Sequence, residues 1–144
     1  MKTEQAENYR GHIIALLTAE KLPVADLPHS LENFVVSTQN GNLTGVAGLE
    51  IYGDYGLLRS LAVDKAFRNR GIADDLLKQA EALAASKNIK AIYLLTETAP
   101  AYFARKGYEA ITRAGVPAAI QQSSEFSHVC PQSAIVMQKL VNKQ

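Results

Sequence analysis

Between residues 57 and 77 the chain passes from a short apolar run through a polar, cation-bearing stretch into apolar residues at helical spacing. That order of strand, basic loop and helix constrains the fold more than any other feature. Residues 57–63 (Leu-Leu-Arg-Ser-Leu-Ala-Val) suit a short buried strand. Lys65, Arg68 and Arg70 follow. From Ile72 onward Ala73, Leu76, Leu77, Ala80, Leu83 and Ala84 recur on one face of a helix. Gly71 stands at the join. A helix N-terminus offers N–H groups with no intrahelical partner and a partial positive charge. A glycine there lets a ligand approach the backbone. With arginines beside it, the join reads as an anion site whose natural occupant is a phosphate. The plain alternative is a basic surface loop ahead of an ordinary helix. No Gly-Lys-Ser/Thr follows, which excludes a Walker-type loop, and one glycine does not make a dinucleotide fingerprint.

The 144 residues predict one domain, residues 1–144, with a core of its own. A formal net charge of +1 gives no field that would draw nucleic acid or a membrane surface. Apolar runs fall short of a membrane span, and residues 1–7 show no signal-peptide core. Cys130 is the single cysteine, so neither an internal disulfide nor a cysteine-rich metal site is expected. A cytoplasmic location fits these features.

In chain order, residues 4–20 predict a helix with Tyr9, Ile13, Leu16 and Leu17 on one face, ended by Leu22-Pro23. Residues 33–38 read as a strand and 43–52 as its return, across the hairpin turn 39–42, where Asn40-Gly41 supplies positive φ. Gly45 and Gly48 weaken the return strand or let something approach its face. Residues 53–56 predict a turn into the strand 57–63. The helix from Ile72 should reach about Ser86, with Asn88 as its stop. A strand at 91–95, a short helix at 100–105 ended by Gly107, a strand at 108–111 and a short helix or lid at 116–120 follow. Residues 96–98 are expected to hold the cap of the 100–105 helix. Residues 121–131 read as irregular and 134–140 as the closing strand.

The segment Arg68-Asn69-Arg70-Gly71-Ile72-Ala73 resembles the pyrophosphate loop of the GNAT superfamily of N-acetyltransferases, whose pattern is filled by Arg68, Gly71 and Ala73. Three antiparallel strands before the loop and the strand, short helix and Gly107-Tyr108 after it match that family's order over nearly the whole chain. The resemblance implies an α/β (α+β) fold: a central mixed, mostly antiparallel sheet of about six to seven strands, with helices on both faces. The family's usual opening strand has no clear counterpart in residues 1–3. Gly48-Leu49-Glu50, Leu57-Leu58-Arg59-Ser60, Val116-Pro117-Ala118-Ala119-Ile120, Ser124-Glu125-Phe126, Cys130-Pro131 and Ser133-Ala134 resemble the arsenic-resistance-associated, N-acetylglutamate-synthase-like subgroup.

The resemblance further implies acetyl-CoA as cosubstrate and no metal. Main-chain groups of Leu61, Ala62 and Val63 would pair with the pantetheine arm, and the pyrophosphate would rest on Arg68, Asn69, Arg70, Gly71, Ile72 and Ala73. The expected reaction is direct attack of a small-molecule primary amine, an amino acid or amine-bearing arsenical, in a ternary complex. A protein N-acetyltransferase and a non-catalytic acyl-CoA sensor or interaction subunit are the alternatives, and a homodimer is compatible with any of them. Phe103, counted with the cofactor-binding residues, stands where many members carry a tyrosine acid; Tyr102 is its neighbour. Leu57 stands where histone-acetylating members carry a glutamate base. Glu50 is the replacement candidate. A tight turn at Gly53-Asp54 would place Glu50 and Arg59 on one face of adjacent strands, as a catalytic pair or as a structural ion pair. Arg59 alone could instead fork onto a substrate carboxylate. Lower in rank come Glu97, at a strand end but as well placed to cap a helix, His29, which reads as an exposed loop histidine, and Cys130, His12 and His128, which have no partner at a recognisable spacing.

Overall fold

The computed structural model describes residues 6–22, 24–25, 27–123 and 134–141. Six strands, β1 (Phe34–Gln39), β2 (Asn42–Tyr52), β3 (Tyr55–Val63), β4 (Ala91–Thr96), β5 (Glu109–Ile111) and β6 (Ile135–Leu140), form one sheet of order β1-β2-β3-β4-β6-β5. Pairing is antiparallel for β1–β2, β4–β6 and β5–β6 and parallel for β3–β4, so the sheet is mixed and mostly antiparallel, as the loop's family resemblance implied. The chain divides into two compact units, Met1–Leu49 with Ser60–Leu83, and Glu50–Arg59 with Ala84–Gln144.

In the first unit, a 3-10 turn at Ala6–Tyr9 precedes α1 (Arg10–Ala19). The expected helix over 4–20 is thus shorter, and residues 1–5 lie outside the described ones. Its apolar face packs Ile13, Leu16 and Leu17 with Phe34, Val36, Val46 and Ala62. Lys21, left-handed at φ 59°, ends the helix: Leu22 N–H donates to Leu17 O at 2.9 Å and Lys21 N–H to Thr18 O at 3.1 Å. Arg10 bonds Glu7 at 2.7 Å and the carbonyls of Pro28 and His29 at 2.9 and 2.7 Å, which ties down the loop after the helix.

Val46 belongs to the α1 cluster, while a Cβ on neighbouring Gly45 would come within 2.8 Å of Leu76 and 3.1 Å of Ile72 on α2 (Ile72–Ser86). Successive strand residues face opposite sides, so α1 and α2 cover opposite faces of β2. Gly48, on the α1 side, lies beneath the Phe34 ring, which a Cβ would meet at 2.5–2.7 Å. The β2 glycines therefore admit a helix and a ring. Gly48→Ala should destabilise the fold by about 1–3 kcal/mol through overpacking; an unchanged denaturant midpoint would show that the Phe34 ring can move aside.

In the second unit β3 starts at Tyr55, not at Leu57. The two-residue turn Gly53-Asp54, with Gly53 at φ 64°, suffices, and Gly56 is a buried strand residue opposite Ile92. The core here is Leu57, Ala91, Tyr93, Val116, Ile120 and Val136, the last helix α4 (Ala118–Gln121) contributing Ile120. Pro117 is the N-cap of α4 and not a position inside it. Asn88 at φ 60° and Gly107 at φ 95° end α2 and α3 (Pro100–Arg105) in the same way: Ile89 N–H reaches Ala84 O and Tyr108 N–H reaches Phe103 O, both at 3.0 Å. The expected side-chain cap of α3 is not made, because its N-cap residue is Ala99; Thr96 Oγ1 accepts the Ala99 N–H at 3.0 Å instead. Residues 124–133, including Cys130 and His128, lie outside the described residues.

Candidate active site

The phosphate-loop candidate lies in the first unit. At the end of β3 the Asp64 N–H donates to Thr44 O at 2.9 Å, and Asp64 Oδ1 accepts the Ala66 N–H at 2.9 Å, starting a 3-10 turn at Lys65–Phe67. Asn69 at φ 65° and Gly71 at φ 78° are left-handed on either side of Arg70. Such reversals of backbone hand build concavities lined by N–H groups. Asp75 N–H makes the first helical bond, to Gly71 O at 3.1 Å, so the Ile72 and Ala73 N–H groups precede the ladder of α2. A Cβ at Gly71 would meet nothing within 4 Å, so the space outside is open to a ligand. Arg70 lies over the Phe67 ring at 5.2 Å, and Arg68 forms an ion pair with Glu20. Asp74 and Asp75 occupy the first turn of α2, where carboxylates match the helix dipole. Main chain, cations and open space together fit a pyrophosphate.

The second group lies in the other unit. Arg59 Nη1 donates to Glu50 Oε2 at 2.8 Å; the Arg59 side chain is fully buried and that of Glu50 is 15% exposed. Tyr52, two residues further along Glu50's strand and therefore on the same face, donates its hydroxyl to Glu50 Oε1 at 2.5 Å. Burial first, and the Glu50 carboxylate second, push the Tyr52 phenol above its ordinary range, so it stays a protonated donor at neutral pH. The Ser123 side chain hydrogen-bonds the same phenol from the residue two past α4. One carboxylate thus receives a guanidinium and a phenol, and its small exposed edge keeps capacity for a further donor.

Glu50 and Arg59 are brought together as the turn at Gly53-Asp54 leads one to expect. The open edge belongs to Glu50, not to Arg59. Ala62 is buried in the α1 cluster, so its side chain serves packing. Phe103 is buried edge-on against Tyr108, ring centroids 5.7 Å apart, so its side chain serves packing. Tyr102 packs edge-on against Phe103, with Lys106 over its ring at 5.6 Å. Sequence reasoning missed Tyr52, Ser123 and Glu20. Tyr52 was within reach, since the two-residue strand period places it beside Glu50. Ser60, at φ 60° inside β3, was also missed.

The acetyltransferase (GNAT) domain family matches residues 30–110 of the chain. An uncharacterised N-acetyltransferase of Chlorobaculum tepidum is 30% identical over 112 residues, 77% of this chain and 69% of the relative. An amino-acid acetyltransferase of Pseudomonas fluorescens is 30% identical over 95 residues, 65% of this chain and 22% of that much longer protein. Among solved structures, N-acetylglutamate synthase of Neisseria gonorrhoeae, complexed with coenzyme A and N-acetyl-glutamate, superposes with a TM-score of 0.83 at 20% identity. That match covers 99% of this chain and 35% of the synthase. The chain belongs to the GNAT acetyltransferase family, the class of acyltransferases that depend on acetyl-CoA. No helix among the described residues is long and apolar enough to cross a membrane.

Proposed function

We propose that the protein transfers the acetyl group of acetyl-CoA to the primary amine of a small molecule, an amino acid or a close analogue such as an amine-bearing arsenical. The buried Glu50–Arg59 pair with its Tyr52 donor carries this reading. Likeness to an amino-acid acetyltransferase and to N-acetylglutamate synthase supports the acceptor class. In this reading Asn69, Gly71, Ile72 and Ala73 hold the pyrophosphate on backbone N–H groups, with Arg68 and Arg70 beside them. Leu61, Ala62 and Val63 offer main chain to the pantetheine arm. Bound there, acetyl-CoA supplies an activated acetyl group. Arg59 and Tyr52 fix the orientation of the Glu50 carboxylate through the 2.8 and 2.5 Å bonds, and its exposed edge takes the proton of the acceptor ammonium. Because Arg59 is fully buried, it serves Glu50 and does not receive a substrate carboxylate.

Thiol release from acetyl-CoA across a panel of amino acids, other amines and amine-bearing arsenicals tests the proposal. Saturable release with at least one acceptor is expected. Cofactor binding with only background release throughout would mark a sensor. Since Phe103 occupies the usual tyrosine position and is packed away, Tyr102→Phe should keep turnover within about tenfold of the parent, a lost general acid typically costing ~10²–10⁴. A thousandfold loss with normal cofactor affinity would make Tyr102 the acid.

A further inference from the structure

We infer that Glu20 competes with the cofactor's phosphates for Arg68 and thereby sets how tightly the cofactor binds. The inference rests on the reading of residues 68–73 as the phosphate loop. Glu20 is the C-cap of α1, where a carboxylate meets the negative end of the helix dipole. The last turn of α1 has no basic residue to answer it. Its counter-charge comes from Arg68, 48 residues later and inside the loop. The Glu20 side chain is 18% exposed and that of Arg68 46%, so the carboxylate is the fixed partner and the guanidinium the one that solvent and ligands reach. Of the loop's two arginines, Arg70 is placed over the Phe67 ring and Arg68 is engaged by a carboxylate.

A pyrophosphate offers Arg68 more charge and several acceptor oxygens, a better match for a guanidinium fork than one carboxylate oxygen. Binding then exchanges one partner for another, and the measured affinity is lowered by the pair that has to open. The same exchange eases departure of the spent cofactor, because Glu20 stands ready to take Arg68 back.

Titration calorimetry with coenzyme A tests this on the intact chain and on Glu20→Gln, Arg68→Met and the double variant. Glu20→Gln should bind about two- to fivefold more tightly at low salt, the range expected of a solvent-accessible ion pair. The gain should shrink as ionic strength rises. Arg68→Met should bind more weakly, and adding Glu20→Gln to it should change little. Unchanged or weaker binding by Glu20→Gln overturns the inference, the weaker result meaning that Glu20 orients Arg68 for the ligand. An equal gain in the Arg68→Met background also overturns it, as a plain field effect. If Arg68→Met and Gly71→Glu both bind like the parent, the phosphate-loop reading itself fails, whatever Glu20 does.

Discussion

Gly71→Glu is expected to abolish coenzyme A binding while leaving the fold intact. A Cβ at this position meets nothing within 4 Å, so the new side chain has room in the free protein and brings only the strain of a residue at φ 78°. Its carboxylate would stand where the proposed pyrophosphate lies. Like charges brought together in a binding site cost several kcal/mol, which puts the loss at about a hundredfold or more. Gly71→Ala separates charge from backbone. It adds only the strain of a side chain at φ 78°, about 1–2 kcal/mol, and should bind the cofactor more nearly like the parent. Calorimetry decides; parental affinity in the glutamate variant would remove the loop from the cofactor site.

The second large effect is expected at the Glu50–Arg59 pair. Arg59→Ala should destabilise the protein by about 3–5 kcal/mol, because it strands a mostly buried carboxylate without its guanidinium. Glu50→Gln keeps the shape and, with its amide oxygen toward Arg59, the Arg59 bond; its NH2 then faces Tyr52, whose hydroxyl turns to accept, and the proton acceptor is lost. Its turnover should fall by ~10²–10⁴ with cofactor affinity preserved, and the deficit should narrow at high pH, where more of the acceptor amine is already neutral. The double variant Glu50→Leu/Arg59→Met distinguishes chemistry from architecture. Replacing a whole buried pair by apolar groups of similar volume is often neutral or stabilising, so its midpoint should recover while activity does not. Parental kinetics in Glu50→Gln would make the pair structural and move the base elsewhere.

The parts legible in the sequence were those fixed locally. Asn40-Gly41, Asn88 and Gly107 each carry the positive φ that ends an element, and all three boundaries fell where those residues stand. The strand, turn and helix around Gly71, the proposed phosphate loop, were legible because they lie within about twenty residues. The Glu50–Arg59 contact was legible because a two-residue turn fixes register over a short hairpin. Gly56 misled because a glycine signals a turn by propensity, whereas here it lies extended opposite Ile92. Ser123 and Glu20 find their partners across long stretches of chain, Glu20 48 residues away, and neither has a local pattern that announces it. Ser60 was illegible for another reason: serine has no preference for the left-handed region, so tertiary packing must hold it there against its own strain.

That left-handed serine makes β3 intolerant of length changes. A regular strand turns successive residues to alternate sides, and a residue of reversed hand interrupts the alternation. Arg59, which holds Glu50, stands before the interruption, and Leu61 stands after it. Deleting Ser60 would remove the interruption, and a deletion or an insertion beside it would shift one segment by a residue and turn its side chains to the other face. The turn at Gly53-Asp54 is under no such constraint, since an extra residue there is absorbed by the loop. An engineer grafting new acceptor specificity onto this chain therefore has freedom of length at the hairpin tip and none in the middle of the strand that follows it.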